Sequence, residues 1–272
     1  MSAEGFDSFQ QSYLRILGAA IIAFIFFRRY FSKKLLSSIS SHEWSIYGLR
    51  AILGYVFGTA VYTIAINNAN LSVVAFISAV PTLGFIAYVM FREKIPLMSI
   101  PFFVLSLVGV LFLTGACLSN VHFGIGEIAA AISNIGFSVS FLMSRLHDKK
   151  RNNFENTTIL LALGWIPVLI ISLVLHEHVL PHSLSVTSAV GLLLAAVFNV
   201  INLYGANYVF TNMKAYVAGN VLLLETIWAS IVGLLIYGEP VTIIVAAGGM
   251  LIVASALAIN RIDNRNEEPP IS

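Results

Sequence analysis

The sequence predicts an all-α membrane protein, a polytopic bundle of about nine transmembrane helices. Three observations predict this fold class: the composition, the length of the apolar runs and the distribution of the basic residues. Of the 272 residues, 58% are hydrophobic and 10% are charged, whereas about a quarter of a soluble domain is charged. A soluble protein of this composition would expose large apolar patches, but a bilayer solvates outward-facing apolar side chains.

The apolar residues fall into runs of the length that a membrane requires. A helix crosses the ~30 Å hydrocarbon layer with about 20 residues, whereas a barrel strand would show about 10 residues of alternating polarity. The uninterrupted runs therefore predict helices joined by short polar connections. The nine runs are residues 10–27, 44–66, 71–91, 97–118, 123–144, 157–175, 184–211, 215–237 and 240–260.

The basic residues collect in alternate connections, as they do in cytoplasmic loops. Two others, Arg15 and Arg50, lie inside the runs or at their edges. The alternation predicts a multi-pass protein of the cytoplasmic (inner) membrane, with the amino terminus outside and the carboxyl terminus inside. The thirteen residues in the basic connections are Arg28, Arg29, Lys33, Lys34, Arg92, Lys94, Arg145, Lys149, Lys150, Arg151, Lys214, Arg261 and Arg265.

Several functional classes are disfavoured by what the sequence contains. A net charge of +2 is too small to suggest a nucleic-acid partner, and the single Cys117 excludes an intramolecular disulfide framework. Nucleotide-binding loops and hydrolase signatures are missing, so neither an enzyme nor a cofactor is predicted. The cluster of His176, Glu177, His178 and His182 in one external connection is typical of a solvated loop, with a metal site as the alternative.

Two segments of the sequence resemble each other, one before the fourth run and one before the ninth. Residues 91–96 contain Glu93 and residues 237–241 contain Glu239, and each glutamate is followed by a charge-free run. The helix count places the two glutamates on opposite sides of the membrane. We therefore expect an inverted repeat, with residues 1–120 as the first repeat of four helices and 121–272 as the second of five.

Small residues recur within this repeat. Gly109 and Ser255 lie at matching distances from the two glutamates, and Gly248 adds a second small position where the first repeat has Phe102. In the run at 44–66, Gly54 and Gly58 form a small-xxx-small pair, which predicts a close helix contact.

Glu225 is the candidate site residue that costs most to bury. It lies near the middle of the run at 215–237, where an ionised carboxylate costs about 2.5 to 3.5 kcal/mol on insertion scales. It should therefore face the interior of the bundle or a wet cavity. We expect a substrate or proton site, with a protonated or hydrogen-bonded structural glutamate as the alternative.

Asparagines and aromatic residues supply further candidates. Asn199 and Asn202 share a face of the run at 184–211, with Asn207 near its edge, and Asn134 lies on the run at 123–144. These amides line a polar pathway or bond neighbouring helices, which contributes about 0.6 kcal/mol each. Tyr62, Trp165 and Trp228 either stack on a ligand or anchor the packing.

Arg15 is a basic residue inside the first run. It has three possible roles: attraction of an anionic substrate, pairing with Glu225 or Glu127, or snorkelling of its guanidinium to the headgroups.

The residues around both glutamates resemble the EamA-like proteins of the drug/metabolite transporter superfamily. The resemblance is carried by Val80-Pro81 through Glu93 and by Leu224-Glu225 through Glu239, although Thr226 stands where the family often has proline. Tyr13-Leu14-Arg15 is also similar to the start of the family's second helix. The resemblance implies two five-helix repeats, and no run of this sequence corresponds to the family's first helix. Either a helix precedes this sequence, or the protein is a nine-helix variant.

The resemblance also implies a function. Such proteins are secondary transporters, mostly exporters of small metabolites or drugs, that work by alternating access in the lipid bilayer. Their peripheral helices, here the fourth and ninth runs, imply a possible homodimer. A membrane-embedded lipid-modifying enzyme and a non-transporting scaffold remain alternatives.

Overall fold

The apolar runs form helices in the computed structural model of the chain. The structure describes residues 6–30, 36–115, 124–148, 151–181, 185–237 and 242–267. Several residues singled out in the sequence lie outside this part of the chain: Lys33, Lys34, Cys117, Lys149, Lys150, His182 and Glu239.

Eight helices within the described residues are long and apolar enough to cross a membrane, which confirms the all-α polytopic bundle. The run at 215–237 differs, because it forms two shorter helices, α8a (Ala215–Leu222) and α8b (Leu224–Tyr237). The eight long helices are α1 (Ser8–Phe27), α2 (Ser41–Asn68), α3 (Leu71–Phe91), α4 (Leu97–Thr114), α5 (Ile125–Leu146), α6 (Asn153–Val174), α7 (Val186–Asn212) and α9 (Ile243–Glu267).

Polar residues between the runs start and end these helices. Ser40 begins α2 with a capping box, in which its Oγ accepts from the Glu43 amide at 3.2 Å and the Glu43 carboxylate accepts from the Ser40 amide at 3.3 Å. Asn152 begins α6 by accepting from the Phe154 amide at 3.1 Å. Gly115 ends α4 with a φ of +64°. Each of these groups satisfies or redirects backbone that a helix end leaves unpaired.

Two spans are not continuous α-helices. α3 consists of Leu71–Ser78 and Thr82–Phe91, interrupted before Pro81, because proline lacks the amide hydrogen and clashes with the preceding turn. In α2, the segment Ile52–Ala60 is π-helical, a widened turn that is frequent at functional sites.

The predicted close contact at Gly54 and Gly58 is confirmed, and the partner is α5. A Cβ atom added to Gly54 would lie 2.7 Å from Ser140 Oγ, and one added to Gly58 would lie 2.8 Å from the Phe137 ring. The absence of these side chains lets the π-helical part of α2 lie directly against α5.

The chain divides into two compact units, each built from separate stretches of sequence. The first unit comprises Met1–Ile64 and Ile135–Asn212, and the second comprises Ala65–Asn134 and Met213–Ser272. Each unit therefore takes helices from both halves of the sequence. In the first unit α1 packs against α6 and α7, around a core that includes Ile16, Ala19, Leu160, Leu161, Val168 and Ala196.

In the second unit α4 packs against α9, the two helices that the family resemblance placed at the periphery. A Cβ atom added to Gly109 would lie 2.8 Å from the Gly248 carbonyl oxygen, and one added to Gly248 would lie 2.6 Å from the Gly109 carbonyl oxygen. Gly109 also faces Ile252, whereas Gly248 faces Leu113. The contact advances along one helix as it recedes along the other, so the two helices are antiparallel.

Replacement of either glycine by alanine is expected to destabilise the second unit. In Gly109→Ala or Gly248→Ala, the new methyl group would meet a backbone carbonyl that cannot rotate away, and overpacking of this kind costs about 1–3 kcal/mol. The measurement is thermal unfolding of the purified chain in detergent. Gly48→Ala is the control, because a Cβ at Gly48 meets nothing within 4 Å and alanine favours the helix. Equal melting temperatures for all three variants would contradict the close contact.

Candidate functional site

The residues predicted to form a site are divided between the two units. Arg15, Tyr62, Asn199 and Asn202 belong to the first unit, and Asn134, Glu225 and Trp228 belong to the second. Each group is described within its own unit.

Arg15 projects from α1 in the first unit, where the structure brings it together with Tyr62. The guanidinium lies within electrostatic range of the Tyr55 and Tyr62 hydroxyl groups. Its Nε atom is buried and has no hydrogen-bond partner among the described residues. A buried hydrogen-bond donor is costly to leave unpaired. Arg15 is therefore the side chain of this group whose donor is available to a ligand.

Tyr55 was not expected from the sequence, and its place depends on Gly164 of α6. The Tyr55 side chain is buried, with 7% of its surface exposed, and it belongs to the π-helical part of α2. A Cβ atom at Gly164 would overlap the Tyr55 ring, so only glycine leaves room for it there. The hydroxyl group of Tyr55 is within electrostatic range of both Arg15 and Arg50.

Arg50 of α2 is fully buried and is held by three neutral acceptors. Its Nε donates to the Ser140 carbonyl oxygen at 2.9 Å, Nη1 lies 2.8 Å from His147 Nε2, and Nη2 donates to Asn207 Oδ1 at 2.6 Å. This cluster was not predicted from the sequence. A signal was present, since a charge within an apolar run is by itself a candidate functional residue.

His147 follows the end of α5 and completes the cluster around Arg50. Burial, and then the positive charge of Arg50, lowers the pKa of His147 to about 3. The imidazole is therefore neutral and accepts the Arg50 hydrogen bond through Nε2, while its buried Nδ1 has no partner among the described residues. The ring stacks on Tyr47 with a centroid distance of 4.2 Å, which holds its plane.

Three carboxylates of the first unit are engaged at its two ends. Glu43 forms an ion pair with Arg151 at 3.1 Å, and Asp7 lies 3.4 Å from His178 Nδ1. Glu177 accepts from the Gln10 amide at 2.9 Å at the start of α1. No carboxylate of this unit forms an ion pair with Arg15 or Arg50 in the part of the chain that is described.

The external histidine cluster has a structural explanation. Glu177 also accepts from the Phe9 amide at 3.1 Å and from Ser172 Oγ at 2.9 Å, so it anchors the first turn of α1. No group of three metal-ligating side chains is found among the described residues, which do not include His182.

In the second unit Asn134 stabilises the break in α3. Its Nδ2 donates to the carbonyl oxygens of Ile77 and Val80, both at 3.2 Å, and its Oδ1 accepts from Thr82 Oγ1 at 3.1 Å. The two carbonyl groups precede Pro81 and the Thr82 hydroxyl group follows it, so the Asn134 side chain joins the two sides of the interruption. The amide therefore has a structural role, with or without contact to a solute.

No side chain of the described residues bridges the break in α8 as Asn134 bridges the break in α3. Leu223 interrupts the helix, and Thr226 Oγ1 donates to the Leu223 carbonyl oxygen at 2.6 Å. Asn220, one turn before the break, is buried, and neither polar atom of its side chain has a partner among the described residues. Glu225 lies just after the break with an exposed side chain, and Trp228 follows with 67% of its surface exposed.

The asparagines of α7 have different environments. Asn199 is half-buried and Asn202 is exposed, whereas Asn207 is buried and joins Arg50 to Thr157, whose Oγ1 accepts from Asn207 Nδ2 at 3.1 Å. Of the three asparagines, Asn207 is the one whose side chain is held by hydrogen bonds to Arg50 and Thr157. Trp165 of α6 packs against the core of the first unit.

Loss of the Asn134 side chain is expected to destabilise the broken helix. Asn134→Ala removes one hydrogen bond from each of the Ile77 and Val80 carbonyl groups, which keep only their backbone donors, the Val80 and Thr82 amides. Each lost bond costs about 0.5–1.5 kcal/mol. The measurement is the melting temperature of the detergent-purified chain. Asn199→Ala is the matched control, because no hydrogen bond joins the Asn199 side chain to any other described residue. An equal, small effect of both substitutions would argue against this role for Asn134.

The neutral state of His147 predicts a pH dependence of stability. Because the pKa is about 3 in the folded chain and about 6.5 in the unfolded chain, the unfolded state binds the additional proton between these values. Stability therefore falls as the pH falls from about 6.5 towards 3, by up to about 1.4 kcal/mol per pH unit.

Thermal unfolding between pH 8 and pH 5 measures this effect. His147→Gln keeps an acceptor for Arg50 but does not titrate, so its loss of stability in acid should be smaller than that of the wild type. His178→Gln, at the other end of the unit, should keep the His147 contribution. Parallel pH profiles for the wild type and His147→Gln would contradict a buried neutral imidazole.

Comparison with known proteins shows which family and which solved structure this chain resembles. The sequence profile of the EamA-like transporter family matches residues 124–261. A solved crystal structure is similar over 94% of this chain and 90% of its own, with a TM-score of 0.76 and 15% sequence identity. At that identity the likeness shows a shared fold. No curated protein matches the sequence.

The family match covers half of the chain, and it includes α5, α6, α7, both halves of α8 and most of α9. Together with eight helices of membrane-spanning length, it identifies the chain as a multi-pass membrane protein that belongs to the EamA-like transporter family.

Proposed function

We propose that the chain is a secondary transporter that exports small metabolites or drugs by alternating access. One observation carries this proposal: the two spans that precede the repeat glutamates, α3 before Glu93 and α8 before Glu239, are both broken. Secondary transporters typically place discontinuous helices of this kind at related positions of inverted repeats, around a site near the bilayer midplane.

The two breaks differ in how their polar groups are satisfied. At the break in α3, Asn134 donates to the Ile77 and Val80 carbonyl oxygens and accepts from the Thr82 hydroxyl group. In α8, the Asn220 side chain has no partner in the described structure, and Glu225 lies at the start of the second half-helix. A polar solute or a proton would satisfy these groups, so the α8 break supports a role in transport.

Glu225 is the ionisable group that we assign to this site. A carboxylate within a membrane span is a functional candidate because its charge is costly there. Protonation and release at Glu225 would couple solute movement to a proton gradient, and the sequence contains no nucleotide-binding loop for another energy source. Four further residues remain proposed to bind the substrate or line its pathway: Asn199, Asn202, Tyr62 and Trp228.

We also propose that the amino terminus is external and the carboxyl terminus cytoplasmic, in the cytoplasmic membrane. Contacts within each unit support this alternation. Arg151 binds Glu43 and Ser38 Oγ, and all three belong to connections predicted to be cytoplasmic. In the second unit, Lys214 pairs with Asp263 at 2.6 Å, again from two segments assigned to that side.

Glu93 adds to the same pattern. Its carboxylate accepts from the Ala215 amide at 2.5 Å, so the glutamate of the first predicted repeat begins α8a at the end where Lys214 lies. This supports the proposed orientation, since Glu93 and Lys214 both belong to connections assigned to the cytoplasmic side. The inverted repeat of residues 1–120 and 121–272 remains part of the proposal.

Transport by purified protein in proteoliposomes tests the proposal. The wild type should move at least one labelled solute from a panel of small metabolites and drugs, and an imposed proton gradient should increase the rate. Glu225→Gln should remove the effect of the gradient, because glutamine keeps the shape but does not bind the proton. Glu155→Gln, in the first turn of α6, is the control and should retain it.

Two results would contradict the proposal in different ways. Equal gradient dependence in wild type and Glu225→Gln would remove Glu225 from the coupling step. Absence of flux for the whole panel, with correctly inserted and folded protein, would contradict transport itself and favour a scaffold role.

A further inference from the structure

We infer that the transported solute is an anion and that Arg15, flanked by Tyr55 and Tyr62, binds its carboxylate or phosphate group. This inference rests on the proposed transport function and adds a substrate class and a binding group to it. The Arg15 position lies in the first unit, whereas the ionisable Glu225 lies in the second.

The positive charges inside the spans of the first unit have no carboxylate paired with them among the described residues. Arg15 and Arg50 both lie inside spans, and the carboxylates of Glu43, Glu177 and Asp7 are engaged at the ends of the unit. An unpaired guanidinium is unfavourable in an apolar environment. An anionic solute would supply the negative charge that the described residues of this unit do not provide.

Burial and hydrogen bonding identify Arg15, and not Arg50, as the group that contacts the solute. Arg50 is fully buried and each of its three nitrogens has a protein partner. Arg15 is half-buried, and no hydrogen bond to its guanidinium is found among the described residues. Arg50 therefore contributes to the positive potential, while Arg15 has donors available.

The Nε atom of Arg15 lies in the protein interior, which snorkelling alone does not explain. A snorkelling arginine extends its guanidinium out of the apolar region towards water, but the Nε of Arg15 is buried. The charge of Arg15 instead acts on the Tyr55 and Tyr62 hydroxyl groups, which makes them partners of Arg15 in binding the same ligand.

The hydrogen-bond donors at this position, a guanidinium and two phenols, suit a carboxylate or phosphate ligand. A guanidinium is a planar group with five N–H donors that matches the two oxygens of a carboxylate or phosphate, and a phenol adds an O–H donor. Gly164 leaves room for the Tyr55 ring beside α6, so this hydroxyl is held in place before a solute binds. Such an arrangement is typical of oxyanion recognition.

Counterflow in proteoliposomes containing the full chain tests the inference. The probes are a dicarboxylate, an organic phosphate, a zwitterionic amino acid and an organic cation of similar size. The wild type should move at least one of the two anions and prefer it to the zwitterion and the cation. The anion with the lower half-saturating concentration distinguishes a carboxylate from a phosphate ligand.

Substitutions at Arg15 locate the binding group. Arg15→Gln should lower anion flux by about tenfold or more, the effect of losing a charge-assisted hydrogen bond, and Arg15→Lys should mainly raise the half-saturating concentration. Arg28→Gln removes an exposed arginine from the other end of the same helix and should leave flux unchanged. Tyr62→Phe should weaken anion binding several-fold, which provides a second test if Arg15→Gln does not fold.

The outcomes separate this inference from the proposed function. Flux of the cation or the zwitterion without anion flux overturns the anion assignment and leaves the transport proposal intact. Anion flux unchanged in Arg15→Gln or, where that variant does not fold, in Tyr62→Phe overturns the assignment of the binding group. Absence of flux for all four probes, together with no effect of either anion on the melting temperature of the wild type, overturns the inference directly. Transport itself is then judged by the wider solute panel.

Discussion

The structure depends on one constraint: within hydrocarbon, every backbone N–H and C=O group needs a partner from the protein itself. Continuous helices meet this requirement, and the apolar runs supply them. Where α3 is interrupted at Pro81, the Asn134 side chain donates to the Ile77 and Val80 carbonyl oxygens and accepts from the Thr82 hydroxyl group. Where α8 is interrupted at Leu223, the polar atoms of Asn220 have no partner within the described part of the chain, and this difference makes the second break the more suitable place for solute or proton binding.

The same constraint governs the charged side chains. Arg50 is tolerated in the interior because a carbonyl oxygen, a neutral imidazole and an amide oxygen each accept one of its hydrogen bonds. These acceptors satisfy its geometry but do not neutralise its charge. Its positive potential therefore extends to Tyr55 and joins that of Arg15, while the carboxylates of the unit are held at its ends.

Close helix packing supplies most of the remaining specificity. Gly54 and Gly58 let α2 lie against α5, Gly164 makes room for Tyr55, and Gly109 meets Gly248 backbone to backbone. Lipid provides no hydrophobic force that would draw helices together, so small residues that permit close approach carry this role. Each of the two units contains helices from both halves of the sequence, so neighbouring helices in a unit are often distant in the chain.

The sequence by itself determined the helical membrane fold, the approximate ends of the spans and the resemblance to EamA-like proteins, because these depend on local composition and short motifs. It also identified Arg15 and Glu225, since a charge in an apolar run is visible without a structure. Only the tertiary structure decided that Asn134 bridges a helix break and that Arg50 meets Asn207, a residue 157 positions away in the chain. A hydrogen bond of that kind depends on which helix faces overlap, and hydropathy along one chain does not encode the choice of neighbour.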